Sequence, residues 1–441
     1  MSFGTFQKTK LVMKYSIYNN TVTISSKIIL LFNSFSDSYM FLNASVSNLL
    51  KTPSLIKEQH PKLYRDMVKK GFYVFERIDE FDRLKSCAER ILKNASSYFL
   101  IINPTMDCNL SCWYCYEKHE KSVMSKEVFQ NVLSFIKDKV ESGISNFHLG
   151  FFGGEPLMKF KTIVMPLIEY TYHLCKQENI DFGVSFTSNG TLLTKTKIEE
   201  LCRYCKPSFQ ITLDGNEEIH NKVRFFTNRK GTYSLILQNI KVLLEYNCPV
   251  RVRINYTKDN IGSIHDILQN ASALFYEHKD LIEFDFHQVW QDKDTEERVL
   301  PEVKTYAGNL IGKGFKALYD ELNEIRNPCY GDKANTAVIN YNGDVFKCTA
   351  KDFCKENREG ILTDEGKIEW EKSQEYRLSV KLKNASCQKC SIAPICGGGC
   401  SRYILEKEEK PYCLFNYDNK AIDKFIINHV EKMLMKDRIN L

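Results

Sequence analysis

The chain has 441 residues, of which 43% are hydrophobic and 26% charged. That length exceeds one ordinary core, and the balance leaves no case for a disordered or fibrous chain. A formal net charge of +6 with both signs interspersed is a weak argument for anionic partners and hardly one for nucleic acid. The first twenty residues hold no unbroken apolar segment ending in small residues. The longest early apolar run, IILLF at 28–32, is too short to cross a bilayer. A cytoplasmic protein without membrane or nucleic-acid partners is expected. There, sixteen cysteines are metal ligands, redox groups or buried thiols rather than a disulfide framework.

Residues 1–95 read as a small α+β domain. YSIYNNTVTISSKIILLFNSFSDSYMFLN, 15–43, alternates short strand patterns with turns, and helical periods follow at 61–71 and 79–95. From about residue 97 the texture changes to β-branched runs alternating with amphipathic helical segments. YFLIINPT at 98–105 precedes a helix from 125. FHLGFFGG at 147–154 precedes one from 161, and FGVSFTSNG at 182–190 one from 195. SFQITLDG at 208–215 precedes a helix from 233, and VRVRINYT at 250–257 one from 263. IEFDFHQVW at 282–290 precedes a final helix expected at about 302–326. Six βα units imply parallel strands with outer helices, so the expected fold class is α/β, a partial (β/α)6 TIM-like barrel over 96–327. A loop-rich, cysteine-dense region with a terminal helix occupies 328–441.

Polar and glycine-rich segments follow the strands. Cys108, Cys112 and Cys115, as CxxxCxxC, follow the first strand and GGEP at 153–156 the second; SNG at 188–190 and DG at 214–215 follow the third and fourth. In α/β barrels, catalytic groups collect at strand exits. These four motifs are expected at one mouth, although they are far apart in sequence.

Three thiolates on one loop suit a soft metal centre or an iron–sulfur cluster. A tetrahedral zinc site would want a fourth donor, for which His119 is the near candidate. A cubane held by three cysteines instead leaves one iron open. The array, with Tyr114 before its last cysteine, resembles the signature of the radical S-adenosylmethionine superfamily. The resemblance implies a [4Fe–4S] cluster whose open iron chelates S-adenosylmethionine. Gly153, Gly154, Glu155 and Pro156 would receive the methionine amino group, Ser188 and Asn189 would contact ribose and carboxylate, and Tyr114 would sit near the adenine. It also implies an electron donor resembling flavodoxin or ferredoxin.

By spacing alone, the C-terminal cysteines fit paired zinc ribbons as well as clusters. Their order resembles the SPASM extension of the same superfamily, which implies two auxiliary [4Fe–4S] clusters. Cys387, Cys390, Cys396 and Cys413 would hold the outer one, and Cys329, Cys348 and Cys400 the inner one. No cysteine shortly before Cys329 supplies the fourth inner ligand, so Cys354 or an open iron is left. Gly397–Gly399 fits close approach of backbone to a cluster. Cys202 and Cys205 form an isolated CxxC, a weak metal signal, and Cys87, Cys175 and Cys248 read as buried thiols.

Asp214, His220 and Arg224 resemble positions common in this enzyme group, with turn, cap and ion-pair roles as the alternatives. Alternation puts Arg251, Arg253 and Asn255 on one strand face, and a charge inside a barrel needs a partner. Asp214 and Arg253 are the candidate catalytic or substrate-contacting residues. The expected activity is reductive cleavage of S-adenosylmethionine and hydrogen abstraction from a ribosomally made precursor peptide, forming a thioether or carbon crosslink or inverting a centre. Residues 1–95 resemble, loosely, winged-helix-like leader-recognition domains. The alternatives are an anaerobic sulfatase maturase, which usually begins close to its first cysteine motif, and a zinc-bearing peptide-binding protein.

Overall fold

The computed structural model describes residues 12–292, 296–319, 324–371, 377, 380–406 and 412–439. The chain divides into two compact units. One comprises Met1–Lys93, Leu322–Lys333 and Glu375–Leu441; the other comprises Asn94–Glu321 and Ala334–Gln374. The stretch expected as a C-terminal domain is thus shared between both units.

The first unit begins with strands β1 (Met13–Tyr15), β2 (Asn19–Thr23), β3 (Ile28–Asn33) and β4 (Ser38–Asn43). Helices α1 (Pro53–Gln59) and α2 (Pro61–Lys69), strand β5 (Tyr73–Phe75) and helix α3 (Glu80–Leu92) follow. Strands β2, β3 and β4 form an antiparallel sheet, and β1 pairs with β5. The apolar run of β3 is continuous because both its faces are covered. Ile29 and Leu31 pack with Ile56, Met67 and Phe72. Leu30 and Phe32 pack with Ile392, Ile395, Ile426 and Val430, the last two on the terminal helix Asn419–Ile439. Each such side chain contributes roughly 1.5–3 kcal/mol by leaving water. The N-terminal sheet and the terminal helix therefore share one core.

The second unit carries β6 (Ser97–Ile102), β7 (Asn146–Phe151), β8 (Asp181–Ser188), β9 (Ser208–Leu213), β10 (Val250–Tyr256), β11 (Ile282–Gln288) and β12 (Lys316–Leu318). All seven are parallel to their neighbours. The connecting helices are α4 (Lys126–Glu141), α5 (Met165–Gln177), α6 (Lys195–Cys202), α7 (Glu217–Val223), α8 (Tyr233–Glu245), α9 (Ile264–Phe275) and α10 (Glu296–Gly312). One sheet face packs on the helices. There Phe151, Phe186 and Phe209 occupy paired positions and stack at 5.0 and 4.8 Å between ring centroids. Cross-strand aromatic pairs of this kind help fix register. Alternate residues, including Gln210, Thr212, Arg253, Asn255, Asp285 and His287, occupy the opposite, inner face and are half-buried.

The expected α/β partial barrel is what the chain forms, with two differences. Helix α10 stops at Gly312 instead of running to about 326, because Gly314 takes a φ of +87°, a left-handed turn that ends helices, and the chain enters β12. Beyond β6, strand β13 (Thr336–Ile339) adds in parallel, and β14 (Asp344–Phe346), β15 (Gly360–Leu362) and β16 (Ile368–Trp370) continue antiparallel. Among the described residues, the sheet thereby reaches eleven strands. Among the described residues, no helix is long and apolar enough to cross a membrane.

Candidate functional site at the strand exits

The loop leaving β6 carries the first three cysteines and is held from three sides. Thr105 Oγ1 donates to Ser122 O at 2.6 Å, and Met106 N donates to Ser122 Oγ at 2.8 Å. From the exit of β7, Gly154 N donates to Thr105 O at 3.1 Å and Glu155 N to Asp107 O at 2.9 Å. A Cβ on Gly154 would stand 2.2 Å from Asp107 O and 2.5 Å from Met106 O. Only glycine permits so close a backbone approach. From the exit of β8, Asn189 Nδ2 donates to Asn109 Oδ1 at 2.8 Å and lies 3.7 Å from Cys108 Sγ.

Glu155 has no exposed surface. Its carboxylate accepts from Leu157 N at 3.0 Å, Asn189 N at 2.8 Å, and Ser188 Oγ at 3.0 and 3.1 Å. These bonds tie the exits of β7 and β8 together. Burial nevertheless raises the Glu155 pKa above the usual carboxylate range, with the hydrogen bonds opposing. Pro156 opens the short 3-10 turn Pro156–Lys159 that Glu155 caps. Ser188 and Asn189 thus meet Glu155 and the cysteine loop, while Gly153 sits against Thr105 O.

Tyr114, two residues after Cys112, joins a second cluster at the exits of β9 and β10. Its hydroxyl is 2.7 Å from both Asp214 carboxylate oxygens, accepts from Arg224 Nη2 at 2.5 Å and accepts from Asn255 Nδ2 at 3.1 Å. Arg224 Nε is 2.5 Å from Asp214 Oδ2. Burial holds the Tyr114 hydroxyl well above its ordinary pKa. His220 stays in the interior, with Nε2 3.0 Å from Thr232 Oγ1, and burial lowers its pKa to about 4. The sequence singled out each of these residues except Thr232; it did not indicate that they share hydrogen bonds.

The donor chemistry of the first loop fits a thiolate-bound cluster. Cys108 and Cys115 each respond electrostatically to Cys112, and burial raises all three thiols, Cys108 to about 12 and Cys115 to about 11. Such thiols hold their protons until a metal displaces them. The N–H of Asn189 toward Cys108 is the kind of outer contact that tunes cluster sulfur. His119 Nε2 lies 3.4 Å from Cys115 Sγ. Among the described residues, no three such donors gather around a single-ion position.

In the first unit, Cys387, Cys390 and Cys396 each respond electrostatically to Cys413, Cys387 also to Cys390 and Cys396 to both others, and burial raises Cys387 to about 11 and Cys396 to about 12. Gly397, Gly398 and Gly399 all take positive φ, 59°, 78° and 82°, a run that favours glycine. Lys381 was not singled out from sequence. It is 5% exposed, lies 3.1 Å from buried Asp332 and donates to Gly399 O. Cys329 and Cys400 belong to this unit, whereas Cys348 and Cys354 belong to the other. There Cys354 Sγ accepts from Asn357 Nδ2 at 3.2 Å. Cys202 Sγ is 3.6 Å from Cys248 Sγ, packed on the helix side of the sheet.

Comparison with known proteins agrees with this arrangement. Residues 102–271 match the radical SAM superfamily model. The chain is 25% identical over 350 residues to a cysteine-type anaerobic sulfatase-maturating enzyme of Clostridium novyi, covering 69% of this chain and 88% of that protein. It is 27% identical over 177 residues to the sporulation killing factor maturation protein SkfB of Bacillus subtilis, covering 39% of this chain and 40% of that one. In fold it resembles SuiB of Streptococcus suis bound to precursor peptide SuiA, with a TM-score of 0.50 and 14% identity over 91% of this chain and 98% of that chain. The match over residues 102–271, which include the strand-exit cysteine loop and parallel strands of the sheet, identifies a radical SAM superfamily domain within this chain.

Proposed function

We propose that this protein modifies a precursor peptide by radical chemistry. The observation that carries the reading is the convergence of the cysteine loop, the GGEP segment and the β8 exit, tied together through Gly154, Glu155 and Asn189. Cys108, Cys112 and Cys115 would hold a [4Fe–4S] cluster with one open iron, and the exits of β7 and β8 would hold S-adenosylmethionine. When bound, these groups would supply the one-electron chemistry by which hydrogen is taken from a substrate. The protein's own part is positioning. Glu155 fixes the two exits, and Tyr114, Asp214 and Arg224 brace the last cysteine turn against β9 and β10.

Cys387, Cys390, Cys396 and Cys413 would hold an auxiliary cluster, with the Gly397–Gly399 run allowing the backbone to approach it. A peptide substrate is supported by two features. The SuiB likeness covers 91% of this chain, including its N-terminal segment, whereas the sulfatase-maturase match covers 69%. Among the described residues, no further strand pairs with the outer edges of the β2–β3–β4 sheet, to which an extended peptide could add through backbone hydrogen bonds. The sulfatase-maturase reading is kept as second because that relative is matched over 88% of its length.

The test is hydrogen transfer. A precursor peptide deuterated at its α and β carbons, incubated with reduced protein and S-adenosylmethionine, is expected to deliver deuterium into 5′-deoxyadenosine and to change in mass. A sulfatase-derived peptide that reacts while precursor peptides stay inert would favour the second reading.

A further inference from the structure

Three arginines stand on or beside the inner wall formed by β9, β10 and β11, and two of them have a carboxylate. Arg224 is paired with Asp214 at 2.5 Å, and Arg251 with Glu283 at 2.6 Å. Arg253 lies between them on β10, directly opposite Thr212 and Asp285. Its Nε donates to Asn255 Oδ1 at 3.1 Å. Among the described residues, its two terminal nitrogens have no protein acceptor, and no carboxylate lies within 4 Å of it. Burial works against its charge, and Asp285 only partly offsets that. Asp285 itself turns toward His287, 3.6 Å away.

A guanidinium with both terminal nitrogens free presents a planar fork matched to a carboxylate. The fork is also placed relative to the chemistry. Asn255, which orients Arg253, donates to the Tyr114 hydroxyl, so Arg253 is two hydrogen bonds from the cysteine loop. Tyr116, which acts electrostatically on Arg253, stacks on Trp290 at 5.2 Å, and Trp290 is 43% exposed. Aromatic surface near a half-buried cation suits a peptide that lays its chain on that surface and directs an acid inward.

We propose that Arg253 is a specificity-determining residue that receives a carboxylate of the peptide substrate, carried by an acidic side chain or by a chain terminus. It thereby selects which residue stands before the cysteine loop. This rests on the peptide-modifying reading above and adds the chemistry of the group recognised.

The test uses the reconstituted full-length protein and phenylglyoxal, with labelling of Arg253 followed by peptide mass spectrometry. Three probes are compared: acetyl-Gly-Glu-Gly-amide, acetyl-Gly-Gln-Gly-amide and acetyl-Gly-Gly-Gly with a free C-terminus. A carboxylate probe is expected to protect Arg253 at a concentration about tenfold lower than the glutaminyl probe, the discrimination expected of a charge-assisted pair. Whether the glutamyl or the C-terminal probe protects better identifies the source of the acid. Binding of the better probe should fall about tenfold in Arg253→Gln and less in Arg253→Lys, which keeps the charge without the fork. Equal protection by all probes overturns the proposal. So does protection by S-adenosylmethionine alone, or failure of phenylglyoxal to reach Arg253 at all. Formation of 5′-deoxyadenosine is measured separately, so loss of the radical reaction is distinguishable from loss of carboxylate binding.

Discussion

Arg224 Nε lies 2.5 Å from Asp214 Oδ2, and their side chains are 9% and 1% exposed. The pair sits beneath Tyr114 and supports the turn that carries Cys115. Removing one partner of a buried pair leaves an uncompensated charge, which costs about 3–5 kcal/mol. Asp214→Ala should therefore lose about that much in urea unfolding. Asp214→Ala combined with Arg224→Met should recover a large part of it, because the orphaned cation is gone. A double variant no more stable than Asp214→Ala would show that the pair is not what holds this region.

Gly154→Ala tests the packing of the GGEP segment on the cysteine loop. The added methyl would meet two carbonyl oxygens of backbone rather than a yielding side chain. Overpacking of this kind costs about 1–3 kcal/mol, and here the displaced atoms belong to the chain around Cys108. The expected result is weakened retention of the first cluster, read as loss of the corresponding electron paramagnetic resonance signal on reduction. Gly308→Ala, where a Cβ would meet nothing within 4 Å and the backbone is helical, should retain the signal.

His220 makes a pH prediction with a definite sign. Its folded pKa of about 4 lies below the ordinary 6.5 because it is buried. The unfolded chain takes up the proton first as pH falls, so stability is full above pH 6.5 and declines from there toward pH 4. At pH 5.5 the contribution is a loss of about 1.4 kcal/mol relative to pH 7.5. In His220→Gln, which can keep a hydrogen bond to Thr232, that part of the slope should vanish from unfolding curves measured at several pH values. An unchanged slope would assign the acid sensitivity to other groups.

Cys112→Ala should remove S-adenosylmethionine cleavage while leaving iron and sulfide bound by Cys387, Cys390, Cys396 and Cys413. Iron analysis should show a fractional loss, not a complete one, because that second set of ligands is carried by a different unit. Complete loss of iron would mean that the C-terminal cysteines do not hold a cluster independently.

The strands of the barrel were legible because each is a β-branched or aromatic run of about the right length followed by a helical period. YFLIINPT and VRVRINYT became β6 and β10 close to their expected limits. Strand β13 was not legible, since its four residues follow a long irregular stretch and its partner β6 is more than two hundred residues earlier. The shared core of β3 and the terminal helix was hidden for the same reason: Leu30 and Ile426 pack in one core, but no local pattern pairs them. At the site, residue types and spacing exposed the cysteines and GGEP. The role of Glu155 as a tie between two strand exits needed coordinates, because its partners Ser188 and Asn189 are over thirty residues away.

The central claim is that three loop cysteines and the strand exits around them build a site for reductive cleavage of S-adenosylmethionine. The direct measurement is chromatographic detection of 5′-deoxyadenosine after anaerobic reconstitution, addition of S-adenosylmethionine and reduction by dithionite. The account predicts its formation by the native chain and its absence in the Cys108, Cys112 and Cys115 alanine variants. A fully iron-loaded native protein that yields no 5′-deoxyadenosine, or alanine variants that yield as much as the native chain, would contradict it.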